Sequence, residues 1–133
     1  MNFTHQALDL KSYKKLVYTA MSKHLFYFRM HVSKFVLEEG CVPLNPFMIF
    51  EYFLLDSVDR DTVREANNNL VKRSDEIWVF GPVSNGVLAE IQIGKSMSKV
   101  IRYFKIEKST YIVPVDIEAV EMEDEVKEFR EKL

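Results

Sequence analysis

Glu90 closes the segment Gly81-Pro82-Val83-Ser84-Asn85-Gly86-Val87-Leu88-Ala89-Glu90, directly after the apolar run Ile77-Trp78-Val79-Phe80. The run has the length and composition of a buried strand. The Gly/Pro/Ser/Asn cluster behind it reads as a turn opening a helix over 86–98. Successive helical residues are about 100° apart, so Val87, Ile91, Ile93, Gly94 and Met97 share one arc. Glu90 falls inside that arc, away from the polar side that carries Gln92, Lys95 and Ser96. Desolvating a carboxylate costs several kcal/mol unless it is paired or hydrogen-bonded. Glu90 is therefore either a structural acid paired with a neighbour such as Arg102 or Lys23, or a carboxylate kept for chemistry. Gly86 and Gly94, one turn before and one turn after, suggest open space around it.

The elements that must hold such a group in place follow from the pattern. Leu16 to Ala20 is a short first strand, and 24–39 has helical length with Gly40 as its stop. Leu25, Phe28, Val32, Phe35 and Val36 form one arc of that helix, which suits the sheet. Phe26, Met30 and Leu37 form a second arc for the next helix or another subunit. Cys41 to Leu44 is a short strand whose Pro43 favours an edge. Asn45-Pro46 starts a helix carrying Phe47, Phe50, Tyr52, Phe53, Leu54 and Leu55. Asp59 or Asp61 opens another that runs to about Arg73, its stripe being Val63, Ala66, Leu70 and Val71. Asn67 borders this stripe, whereas Asn68 and Asn69 are placed toward solvent. Val100 to Phe104 and Tyr111 to Val115 complete the strands. The acidic helix expected over 122–133 is anchored by Val126 and Phe129 and otherwise presents a solvated face.

Alternating strands and helices predict one α/β domain over residues 1–133, a flavodoxin-like or Rossmann-like three-layer sandwich with a mostly parallel sheet of four or five strands. In such sheets ligands bind beyond the carboxyl ends of the strands. Those ends bring together Met21-Ser22-Lys23, Asn45-Pro46-Phe47 and the segment from Gly81 to Glu90. Candidate ligand contacts are thus Ser22, Lys23, Asn45, Asn67, Ser84, Asn85 and Gly86. Ser22, Ser84 and Asn85 are equally well explained as turn and cap residues. Tyr18, on the first strand, needs a hydroxyl partner when buried, and Glu90 would supply one.

Composition narrows the function further. A net charge of −2 gives no field that would draw nucleic acid or a membrane. The charge is uneven: residues 116–133 hold eight acids against three bases, which leaves the remainder mildly positive and tolerant of a phosphorylated ligand. One cysteine, Cys41, excludes an internal disulfide. His5, His24 and His31 lack metal-site spacing, and no Gly-x-Gly-x-x-Gly or Walker loop is present, so neither a metal nor a cofactor is expected. With no long apolar span and no signal pattern, a cytoplasmic location is expected.

The segments 75–80, 84–91 and 100–104, with Tyr18-Thr19-Ala20-Met21-Ser22, resemble the nucleoside 2-deoxyribosyltransferase-like superfamily, which includes the deoxynucleoside monophosphate N-glycosidases. The likeness spans about residues 16–105. It implies a flavodoxin-like fold, a homo-oligomer, and a nucleoside or nucleotide as small-molecule partner. It makes Glu90 the nucleophile that attacks an anomeric carbon, with Tyr18 as its orienting partner. It also places Ser22, Ser84 and the amides around Gly86 at a phosphate or sugar hydroxyl. Three departures stand out: Asn67 replaces an acid that the superfamily usually carries, Ser84-Asn85 replaces an Asp-rich turn, and Met21-Ser22-Lys23 replaces the usual glycine-proline or glycine-serine turn after the first strand. An amide can hydrogen-bond a base or ribose but does not protonate one at neutral pH.

Overall fold

Two neighbouring strands rich in apolar residues are covered on both faces, as parallel central strands must be. They are β1 (Leu16–Met21) and β3 (Glu76–Gly81), hydrogen-bonded to each other in parallel with Tyr18 beside Ile77 and Ala20 beside Val79. A computed structural model describes residues 1–50, 56–108 and 110–133. In it a five-stranded sheet runs in the order β2-β1-β3-β4-β5, with β2 spanning Val42–Leu44, β4 Val100–Glu107 and β5 Tyr111–Pro114. The first four strands are parallel, and β5 returns antiparallel along β4. The expected α/β class, flavodoxin-like order and mostly parallel sheet are all present. Pro43 does lie on an edge strand, where its missing N–H costs no ladder bond.

Side chains alternate along a strand, and this divides the core in two. Val17, Met21, Trp78, Phe80 and Phe104 meet Val32 and Val36 of helix α1 (Arg29–Glu38) on one face. Aromatic rings dominate there: Phe35 stands edge-on to Phe104, and Phe80 stacks on Phe104, both at 5.2 Å. Tyr18, Ala20, Ile77 and Val79 point to the other face. There they meet helix α4 (Asn85–Ser96) and the carboxyl-terminal residues Val120, Met122, Val126 and Leu133. Helix α3 (Arg60–Arg73) borders α4 and contributes Val71. The starts of α3 and α4 are capped by their own sequence: Asp59 accepts from the Asp61 amide, and Ser84 from the Val87 amide.

Several expectations need correction. The first helix is not α-helical from its start. Residues Lys23–Phe28 form a 3₁₀ turn capped by Ser22, and α1 begins only after Phe28, whose backbone lies off the helical region. Its second apolar arc splits, since Phe26 packs edge-on against Phe47 while Met30 and Leu37 are exposed. Helix α2 covers only Pro46–Ile49, with Phe50 extended behind it. Tyr52, Phe53, Leu54 and Leu55 lie outside the described residues. The terminal segment Asp124–Lys132 is 3₁₀ rather than α-helical. The backbone leaves the helical region at Phe129 (φ −104°, ψ 24°), its ring is 39% exposed, and Val126 with Leu133 does the anchoring.

Gly94 does not open space beside Glu90 but closes it. A Cβ built there would stand 2.2 Å from Ile77 Cδ1, so any side chain at this position forces Ile77 to shift. Ile77 is fully buried, so its methyl can move only against other core side chains. Alanine gains about 1 kcal/mol of helix propensity over glycine, yet overpacking a filled core costs about 1–3 kcal/mol. Gly94→Ala is therefore expected to lower the urea midpoint. In an Ile77→Val background, which lacks the clashing methyl, the same substitution is expected to become neutral or stabilising. An equal loss in both backgrounds would show that the Ile77 contact does not limit the approach.

Candidate functional site

The order of the sheet reverses between β1 and β3, which is where open α/β sheets take their ligands. Three side chains meet there from three elements: Tyr18 from β1, Asn67 from α3 and Glu90 from α4. Asn67 Nδ2 lies 2.8 Å from Glu90 Oε2 and 2.8 Å from the Tyr18 hydroxyl oxygen, one hydrogen for each. The Tyr18 hydroxyl donates in turn to Glu90 Oε2. Two of the three contacts converge on Glu90 Oε2, and the third ties Asn67 to Tyr18. Among the described residues, Oε1 accepts no hydrogen bond, and no cation pairs with Glu90.

The electrostatics follow from this arrangement. Burial pushes the Glu90 carboxyl up to about 7, while the hydrogen bonds from Tyr18 and Asn67 pull the other way. The fully buried Tyr18 is held well above its ordinary range, first by burial and then by the Glu90 charge, so it stays a neutral donor. Neither sequence-level partner for Glu90 is used. Arg102 Nε instead lies 3.3 Å from Glu76, at the opposite end of β3, where Lys15 Nζ is 2.7 Å away. Burial raises the Glu76 carboxyl too, but Lys15 and the Trp78 indole N–H outweigh it and hold the group low. Two carboxylates on the core side thus diverge, one compensated by cations and one not.

Glu90 opens onto two adjoining compartments. One, of about 440 Å³, is polar and is lined by Ser22, Lys23, His24, Ser84, Asn85 and Gly86 together with Glu123 and Glu125. The other, of about 430 Å³, is largely apolar, with Phe47, Phe50, Val63 and Ile93 for walls and Asn67, Asn68 and Arg64 as its polar groups. Met21, Phe47, Gly86 and Glu90 belong to both. A third cavity of about 420 Å³ near Phe104 and Lys105 holds none of the candidate residues.

The sequence-predicted residues Glu90, Tyr18, Asn67, Ser22, Lys23, Ser84, Asn85 and Gly86 are therefore brought to one place. Asn45 is not. Its amide donates to Arg29 O and Ser33 Oγ, both at 3.1 Å, and its carbonyl caps Phe47 N, so the side chain is spent on tying α1 to α2. Asn68, placed toward solvent by the wheel, lines the apolar compartment instead. The acidic segment is not simply a solvated face. Ser22 Oγ donates to Glu123 Oε2 at 2.6 Å, and the Asn85 amide reaches Glu125 Oε1 at 3.5 Å. No periodicity could have revealed this, because it depends on a bridge between Val83 and Met122. Among the described residues there is no group of three His, Cys, Asp or Glu fit to hold a metal, and no helix long and apolar enough to cross a membrane.

A carboxyl group raised by burial loses stability for the fold as pH climbs. Between about 4.5 and 7 the native state holds the proton that the unfolded chain has released, so stability falls over that window and levels off above it. A shift of that size corresponds to about 3 kcal/mol. Glu90→Gln is expected to remove this fall, gaining on the native sequence from pH 5 to pH 8 in urea titrations. A constant difference between the two proteins across that range would show that Glu90 is not desolvated.

Comparison with known proteins places this geometry. A 2-desoxiribosyltransferase from Leishmania mexicana has a similar structure, with a TM-score of 0.54 at 14% identity, covering 85% of each chain. At that identity the likeness speaks for the fold alone. No curated protein matches the chain in sequence. The family DUF7768, described as a domain of unknown function, matches residues 17–104, from the start of β1 to the middle of β4 and with Tyr18, Asn67 and Glu90 inside. The chain belongs to that family.

Proposed function

We propose that this protein cleaves, or transfers across, the N-glycosidic bond of a nucleoside or nucleotide, with Glu90 as the nucleophile. One observation carries the reading: a carboxylate without a cation, fixed through Oε2 by Tyr18 and Asn67, faces two compartments with Oε1 unengaged. Attack of Oε1 on the anomeric carbon forms a sugar–carboxylate ester as the C–N bond breaks. The base leaves with the bonding pair and takes a proton from solvent. Water or a second base then attacks the same carbon and returns the Glu90 carboxylate. The apolar compartment, with Phe47 and Phe50 and the Asn67 and Asn68 amides, suits a flat heterocycle. The polar compartment suits the sugar. The similarity to a 2-desoxiribosyltransferase supports the same direction.

A second reading, a binding module without turnover, is favoured by one feature. Asn67 stands where the resemblance expects an acid, and an amide supplies no proton to a leaving base. Under that reading nucleosides or nucleotides stabilise the fold and no base appears.

Incubation with a panel of nucleosides and deoxynucleoside monophosphates, with free base followed by chromatography, separates the two. Base release is expected, and Glu90→Gln is expected to reduce it on the order of 10³-fold or more. The rate should rise about tenfold per pH unit below about 7 and flatten above, because the nucleophile must be ionised. Tyr18→Phe removes a hydrogen bond that lowers the Glu90 pKa, so the rising limb should move to higher pH. Release that is unchanged by Glu90→Gln would rule out the nucleophile assignment.

A further inference from the structure

The polar compartment already contains anions of its own. The chain from Glu121 to Glu123 lies beside the loop between β3 and α4: Val83 N donates to Glu121 O at 2.9 Å, and Glu123 N donates to Val83 O at 2.8 Å. These backbone bonds deliver Glu123 to the end of β1. There its Oε2 accepts the Ser22 hydroxyl at 2.6 Å and lies 3.2 Å from His24 Nδ1. Glu125 is carried to the start of α4, its Oε1 3.5 Å from the Asn85 amide. The donors that a phosphate would use on this side are a buried serine hydroxyl and the amide end of a helix. Both face a carboxylate from the same chain. With Glu90 the compartment counts three acids, against Lys23 and a histidine.

Resting on the glycosidic reading, we propose that Glu123, seconded by Glu125, is a specificity-determining residue that makes the unphosphorylated nucleoside the ligand and excludes its 5′-monophosphate. A phosphate entering beside Ser22 meets like charge and must displace a hydrogen bond that is already made. Like charges brought together in a partly desolvated site repel each other more strongly than they would in water. A ligand hydroxyl meets the opposite situation, since a carboxylate oxygen is the acceptor that it needs. The mild positive balance of residues 1–115, which on sequence grounds tolerates phosphate, is cancelled locally by the acidic segment folded onto the cavity.

The test compares 2′-deoxynucleosides with their 5′-monophosphates on the full chain by calorimetric titration, with base release followed in parallel. Inorganic phosphate serves as a probe that requires no base. The native protein is expected to bind the nucleoside at least tenfold more tightly than its monophosphate and to gain no thermal stability from phosphate. Glu123→Gln, which keeps an acceptor for Ser22 but loses the charge, is expected to narrow the preference severalfold and to become stabilised by phosphate. Equal or tighter binding of the monophosphate to the native protein overturns the proposal and needs no variant. So does a folded Glu123→Gln with unchanged preference and no phosphate response, or binding of neither ligand to either protein. Discrimination without base release sinks only the reaction, whereas base release without discrimination sinks only the role of Glu123.

Discussion

The site depends on a carboxylate that the fold desolvates and then declines to neutralise. Elsewhere the molecule handles the same problem in the ordinary way. Glu76 is almost fully buried at the start of β3, and the fold surrounds it with Lys15, Arg102 and the Trp78 indole. Glu90, beyond the other end of that strand, receives only neutral donors. Neutral hydrogen bonds offset part of the desolvation but leave the charge uncompensated. The difference between the two ends of one strand is the difference between an acid used to hold structure and an acid left poised.

Everything around Glu90 fixes where that poised oxygen stands. The glycine contact sets α4 directly on Ile77 one turn beyond it. Tyr18 is clamped between buried neighbours in the middle of a central strand, so its hydroxyl has little freedom to follow a moving partner. Asn67 closes the triangle from α3, and its two hydrogens account for both remaining contacts. Three elements have to dock before the triangle exists. A group placed this way is organised before any ligand arrives, which is where electrostatic positioning has its largest effect.

Much of this was legible in the residues. The apolar run Ile77-Trp78-Val79-Phe80 predicts a covered strand, and a single helical wheel is enough to put Glu90 on the core-facing arc. Those inferences need only local periodicity. What escaped depends on contacts between distant segments. Gly94 reads as empty space until Ile77 is known to lie opposite. Asn68 reads as solvent-facing because the wheel knows the α3 stripe but not the cavity beside the start of α4. Phe129 reads as an anchor only if the helix runs unbroken past Val126, and the backbone kinks at Phe129 itself. Asn45 carries an ordinary cap signature, and its two further bonds to α1 leave nothing for a ligand.

The backbone bridge between Val83 and Met122 joins segments that lie far apart in sequence, yet it involves few bonds beside the long parallel ladders of the sheet. Apolar packing makes up the difference, because Val120, Met122 and Val126 are buried in the core beside Ala20 and Val79. Glu123 and Glu125 are therefore held at the cavity mouth by the same side chains that close the core. The electrical character of that mouth thus depends on the docking of a carboxyl-terminal segment that adds no strand to the sheet.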